Sequence, residues 1–225
     1  MNMNILNVLE EWALLYSAKK EQVKDLIHIY NIDNPGWGVK IDLKETILDG
    51  ASVEWERIEG SKDGWSTGDW HGIAVVDAVF DGFGGPKKLR LLLNRFKDLV
   101  EQKKKELGWN SSEGGEKWQE EDNTDILAWI EDWFSFHCDG DWEHQYGFTI
   151  KTIESGGWSV QIDLIETLLE DTEIAWQLVK KSENDWYGLA IKDSVFTASG
   201  DLRKLSFLLH SFKELVEAAD EDFEE

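Results

Sequence analysis

The sequence predicts an α+β fold made of two tandem repeats, each running helix, antiparallel four-stranded meander, and C-terminal helix packed on the sheet. Three observations carry that prediction: self-similarity at a fixed offset, short alternating apolar segments between turn residues, and a long apolar stripe at helical spacing. A displacement of 121 pairs Ile5-Leu6 with Ile126-Leu127, Glu10 with Glu131, Trp12 with Trp133, Gly36-Trp37 with Gly157-Trp158, and Trp55 with Trp176. The same displacement aligns Val39-x-Ile41-Asp42-Leu43-x-Glu45-Thr46 with Val160-x-Ile162-Asp163-Leu164-x-Glu166-Thr167. Beyond Trp70 the displacement becomes 116, pairing Trp70-x-Gly72 with Trp186-x-Gly188, Asp77-x-Val79-Phe80 with Asp193-x-Val195-Phe196, and Phe96-Lys97 with Phe212-Lys213. The change marks a five-residue insertion in the first copy, near Ser61 to Asp69. One register kept through helix-like and strand-like stretches is the mark of a duplication.

The first helix of each repeat is expected over Ile5 to Ser17 and Ile126 to Phe136, with Thr124 as an N-cap whose hydroxyl accepts a free first-turn N–H. Strands are expected over Gln22 to Ile32, Trp37 to Leu43, Ser52 to Ile58 and Gly72 to Val79. Turn residues at Asn34-Pro35-Gly36 and Asp63-Gly64 separate them. Pro86 is expected to open the last helix, because its missing N–H is no loss in a first turn. There Leu89, Leu92, Leu93, Phe96, Leu99 and Val100 form one apolar face, which a sheet can cover. Residues 1–107 are then the first repeat, the Ser/Gly/Glu-rich stretch 108–123 a linker, and 124–225 the second repeat with an acidic C-terminal tail. The duplication leaves room for an intramolecular pseudo-dimer of the two repeats.

Charge narrows the function. The 225 residues carry 23 Lys+Arg against 46 Asp+Glu, a net charge of −23, so nucleic acid and anionic membrane are poor partners and a basic protein a good one. The acidity is uneven: residues 1–107 hold 15 Lys+Arg and 18 Asp+Glu, whereas residues 108–225 hold 8 and 28. The first eighteen residues lack the basic flank of a secretion signal, no apolar run reaches membrane-spanning length, and Cys138 is the only cysteine. A reducing, cytoplasmic compartment is the expectation.

The densest chemistry lies at His137-Cys138-Asp139-Gly140-Asp141-Trp142-Glu143-His144-Gln145-Tyr146-Gly147. Four readings are open. As a catalytic centre, a Cys/His nucleophile pair would need a third orienting group and an oxyanion site, neither visible in the sequence. As a metal centre, His137, Cys138, Asp141, Glu143 and His144 would be ligands, although their spacing matches neither a paired-cysteine zinc site nor an EF-hand. As scaffold, Asp139-Gly140-Asp141 would be a turn, with Trp142 and Tyr146 packed on the sheet. As a contact surface, Asp139, Asp141, Trp142, Glu143, His144 and Tyr146 would meet a partner. The first copy reads Tyr16-Ser17-Ala18-Lys19-Lys20-Glu21-Gln22-Val23 there, so a repeat of this kind can be built without the segment. No catalytic residue or cofactor is assigned. Of the tryptophans, the shared pairs Trp12/Trp133, Trp37/Trp158, Trp55/Trp176 and Trp70/Trp186 are expected in the core. The unshared Trp65, Trp109, Trp118, Trp129 and above all Trp142 are the contact candidates.

Cys138-x-Gly140-Asp141-Trp142-Glu143-His144-x-Tyr146-Gly147, followed by Gly157-Trp158-x-Val160-x-Ile162-Asp163-Leu164 and Asn184-Asp185-Trp186, resembles the immunity protein 53 family of bacterial polymorphic toxin systems. The resemblance covers nearly the whole chain as two copies. The second matches throughout; the first keeps Asp33-Asn34-Pro35-Gly36-Trp37 and Gly82-x-Gly84-Gly85-Pro86 but lacks the Gly-Asp-Trp-Glu-His element. It implies a non-enzymatic antidote that binds and occludes a cognate toxin domain, with a basic nuclease as the toxin the acidity suits. A carbohydrate-binding module, from exposed tryptophan beside carboxylate, and a metal-dependent hydrolase centred on 137–144 are the alternatives.

Overall fold

The computed structural model describes residues 4–17, 25–60, 68–109 and 125–224. In chain order these form α1 (Ile5–Ser17), β1 (Ile27–Ile32), β2 (Gly36–Asp42), β3 (Val53–Glu59), β4 (Trp70–Val76), β5 (Val79–Gly84) and α2 (Leu89–Glu106). There follow α3 (Ile126–His137), α4 (Trp142–Gln145), β6 (Phe148–Ile153), β7 (Gly157–Asp163), β8 (Ile174–Ser182), β9 (Asp185–Lys192), β10 (Val195–Gly200) and α5 (Leu205–Glu224). Elements of the second half begin at the offsets read from the sequence, 121 through β3/β8 and 116 from β5/β10 onward.

The expected four-stranded meander is corrected to five strands per half. The segment written as one strand from Gly72 to Val79 is folded in two at Asp77-Ala78, whose φ angles of 51° and 57° make a hairpin turn of the hand that matches strand twist. Asp193-Ser194 repeats it at 51° and 56°. The sequence hid both turns because Ala and Ser seldom adopt positive φ and no glycine marks the site. The order is also not a meander: β5 returns to pair with β2, so each half runs 3-4-5-2-1 and its β3 equivalent forms an outer edge.

The halves share one sheet. Strands β1 and β6 pair antiparallel, placing Ile29 opposite Ile150, to give the ten-stranded order β3-β4-β5-β2-β1-β6-β7-β10-β9-β8. Two side chains at equivalent positions close the seam: Ile27 N–H donates to Thr152 Oγ1 at 3.2 Å, and Phe148 N–H to Asn31 Oδ1 at 2.9 Å. Ile29, Val39, Phe80, Ile150, Val160 and Phe196 lie on one face by register and are fully shielded or nearly so, beneath the long helices, in one continuous core. Tyr30, Lys40, Lys151, Gln161 and Thr197 alternate onto the opposite, partly open face.

The last helix carries its predicted stripe inward: Leu92, Phe96, Leu208 and Phe212 are all at 0% exposure. It starts at Leu89 rather than at Pro86. Pro86 instead precedes the helix in a turn, where its carbonyl accepts the Trp37 indole N–H at 2.7 Å; Trp158 makes the matching bond to Leu202 at 3.1 Å. The second first-helix is capped by Asp125, which accepts from Ala128 N–H at 3.3 Å. Thr124, the stretch 110–123, Trp65, Trp118 and residues 22–24 of the first expected strand lie outside the described residues.

Of the shared tryptophans, Trp12, Trp133, Trp37, Trp158 and Trp70 are buried and Trp186 is half-buried. Trp55 and Trp176 depart from the core expectation, at 50% and 49% exposure. Each lies over a glycine of the next strand: a Cβ on Gly72 would meet the Trp55 ring at 2.7 Å, and one on Gly188 the Trp176 ring at 2.3 Å. Their recurrence reflects an aromatic on each edge strand covering a glycine of the strand beside it.

Candidate functional site

The segment 137–147 is a turn that carries the chain from α3 into β6. Asp139 organises it, because Oδ1 accepts the backbone N–H of Asp141 at 2.9 Å and of Trp142 at 3.0 Å. Those bonds, the Trp142 one first, hold the Asp139 carboxyl below its ordinary pKa. Gly140 sits at φ 104°, and its N–H donates to Glu143 Oε2 at 3.2 Å. The side chains then divide. Trp142 and Glu143 are inside, at 1% and 3% exposure; Asp139, Asp141 and His144 face solvent, and Tyr146 is intermediate.

Trp142 therefore departs from its expected place as the leading contact tryptophan. Its ring packs among Trp133, Phe134, His137 and Tyr146, and its indole N–H donates to the Ile165 carbonyl at 2.8 Å. Glu143 is likewise turned from solvent and ties back to its own turn. Of the other unshared tryptophans, Trp109 is 52% exposed and Trp129 packs on Phe212.

The ligand set proposed for a metal does not converge. Among the described residues no group of three His, Cys, Asp or Glu side chains has metal-holding geometry. His137 Nδ1 lies 2.8 Å from the Trp133 carbonyl, and burial holds the imidazole below its ordinary pKa. Burial, with the nearby Glu143 and Asp139 carboxylates, pushes the Cys138 thiol up to about 12. At pH 8 a thiol of that pKa is about one part in ten thousand thiolate, so iodoacetamide should label the native chain far more slowly than the urea-unfolded chain. Equal labelling rates would refute the half-buried placement. The aromatic cavity lined by Trp12, Tyr16 and Trp109 is about 10 Å³, room for a water rather than a sugar ring. A wider cleft of about 470 Å³, along Lys87, Arg90, Asn94 and Arg95, has no aromatic floor.

What the turn does assemble is one acidic end of the sheet. The Trp142–Ile165 bond joins it to the loop after β7, where Glu166 N–H donates to Glu170 Oε2 at 3.0 Å. That loop is tied to the β9–β10 turn by Ser194 Oγ donating to the Glu170 carbonyl at 2.7 Å and Asp193 N–H to Glu173 Oε1 at 3.3 Å. Asp139, Asp141, Glu166, Glu170, Asp171, Glu173 and Asp193 are all exposed there. In the first copy Ala18, Lys20, Gly50 and Ser52 stand at the positions of Asp139, Asp141, Asp171 and Glu173. Of the loop carboxylates missing from the sequence-based site, that comparison between copies could have found Asp171 and Glu173, whereas Glu166, Glu170 and Asp193 are matched by Glu45, Asp49 and Asp77. Asn31 was also missed; its Nδ2 donates to the Tyr146 carbonyl at 3.1 Å and bridges the turn to the first half.

Fold and surface together define a duplicated α+β protein, with helices over one face of a shared antiparallel sheet and a concentrated acidic end on the second repeat. The chain belongs to the immunity protein 53 family, whose model matches residues 6–101 and again 127–217. Comparison with curated proteins and with solved structures finds no match. Among the described residues, no helix is long and apolar enough to cross a membrane.

Proposed function

We propose that this chain is a cytoplasmic immunity protein that binds the toxin domain of its own polymorphic toxin system and occludes its active site, with no catalysis of its own. Family membership supports the immunity role. The observation that carries the docking site is the concentration of exposed carboxylates around Asp139, Asp141, Asp171, Glu173 and Asp193. Such a surface steers a basic partner and can occupy subsites meant for phosphates, which favours a basic nuclease as the toxin over nucleic acid or membrane as a direct partner. Asp139, Asp141, His144 and Tyr146 are its contact residues within the turn, while Trp142 and Glu143 act from beneath by fixing the turn's shape. The first repeat serves as the other half of an intramolecular pseudo-dimer and supports the second.

The test is binding to the toxin domain encoded beside this chain. Asp141→Lys and Asp171→Lys combined should leave the melting temperature nearly unchanged, because exposed charges contribute little to folding. The dissociation constant should rise by about tenfold or more, mainly through slower association that depends less on salt. Unchanged affinity and salt dependence in a folded double variant would remove the acidic end from the interface.

A further inference from the structure

Each repeat's first helix supplies a carboxylate to the start of the other repeat's last helix. Glu10 of α1, 8% exposed, accepts the N–H of Ser206 in α5 at 3.2 Å. Glu131 of α3, 4% exposed, accepts the N–H of Arg90 in α2 at 2.7 Å. Ser206 and Arg90 are each the second residue of their helix, and both residue pairs obey the repeat offsets. The first four N–H groups of a helix have no partner within it, so these carboxylates satisfy donors across the junction of the repeats.

The two junctions differ in their surroundings. Glu131 faces the Arg90 guanidinium, with Asp125 and Asp132 on its own side and Lys87 paired to Asp132 at 2.9 Å. Glu10 faces Asp201, itself buried, and Arg203 on the segment leading into α5; its neighbour Glu11 is 3.9 Å from Lys104 of α2. Burial raises both carboxyls against the opposing pull of the backbone donors, and Asp201 adds repulsion at Glu10, which stands at about 7. The Glu10 junction thus changes charge near neutral pH.

We propose that Glu10 is a proton-controlled latch between the repeats: neutral, it seats α1 against the start of α5, and ionised, it loosens that junction. The sign follows from linkage. A carboxyl whose folded pKa is raised from 4.5 to about 7 adds stability that is complete below the unfolded value and is lost as pH rises through the folded one. The lost part lies between about pH 4.5 and pH 7, the reverse of a salt-bridged carboxylate.

The experiment uses the full chain and Glu10→Gln, which keeps an acceptor for the Ser206 N–H and removes the charge. Urea unfolding from pH 5 to pH 8, read as the difference between wild type and variant, should show the wild type losing stability relative to the variant as pH rises. At pH 8 the Ser206 amide should exchange hydrogen about tenfold or more faster in the wild type, while the Arg90 amide, as internal control, exchanges alike in both. A flat difference profile, or equal exchange at Ser206, overturns the latch. If Glu10→Gln does not fold, the wild-type Glu10 carboxyl carbon is followed by NMR: a midpoint near 7 supports the latch and a midpoint near 4.5 refutes it.

Discussion

Trp142→Ala should cost about 3–5 kcal/mol of folding stability, the range for deleting a fully buried aromatic from a core. The side chain is 1% exposed, and its ring centroid lies 5.7 Å from His137, 5.9 Å from Trp133 and Tyr146, and 6.2 Å from Phe134. Truncation removes those contacts, opens a cavity, and strands the Ile165 carbonyl that the indole N–H now satisfies. The loop carrying Glu166, Glu170 and Asp171 would lose its tie to the 137–147 turn, so toxin binding should weaken as a consequence of the fold. Urea denaturation measures the first effect, with Asp141→Asn as a surface control that should leave the midpoint unchanged. A Trp142→Ala chain with near wild-type stability but weakened toxin binding would return this tryptophan to the interface.

Separating the chain into 1–109 and 110–225 should abolish cooperative folding of each piece, and mixing the pieces should restore it. The cut exposes β1 and β6 as bare edges, with Ile29 and Ile150 losing their opposite strand. It withdraws Phe134 from Trp37, whose rings are 4.5 Å apart across the two halves. It also leaves the first turns of α2 and α5 without Glu131 and Glu10. Near-UV circular dichroism and thermal melts of each fragment, alone and at equimolar mixture, provide the readout. A fragment that melts alone with the cooperativity and midpoint of the whole chain would show that the shared sheet is dispensable to it.

Much of this architecture was legible in the residues. The repeat offsets, the two first helices and the inward stripe on α2 follow from periodicity, because a helix must bury every third or fourth side chain to gain from packing. The turns at Asp77-Ala78 and Asp193-Ser194 were not legible, since an apolar run such as Val75-Val76-Asp77-Ala78-Val79-Phe80 reads as one strand when no glycine interrupts it. Trp55 and Trp176 misled for a related reason: recurrence in both copies shows that a residue is needed without showing that it is buried. The turn at 137–147 was recognised as chemically dense, yet composition could not tell which of its side chains point inward.

By itself the sequence determined that this protein is duplicated, α+β and acidic, with the acidity on one copy. It carried the motif by which the family was recognised. Tertiary structure decided how the copies relate, because pairing of β1 with β6 depends on which edges meet rather than on local propensity. It decided that Trp142 is shielded by α3 while Asp141 beside it is exposed, since a one-residue step along a helical turn rotates a side chain by about 100 degrees. And it brought Glu10 within hydrogen-bonding reach of Ser206, a contact spanning 196 positions that exists only because both first helices share one face of the sheet with the last ones.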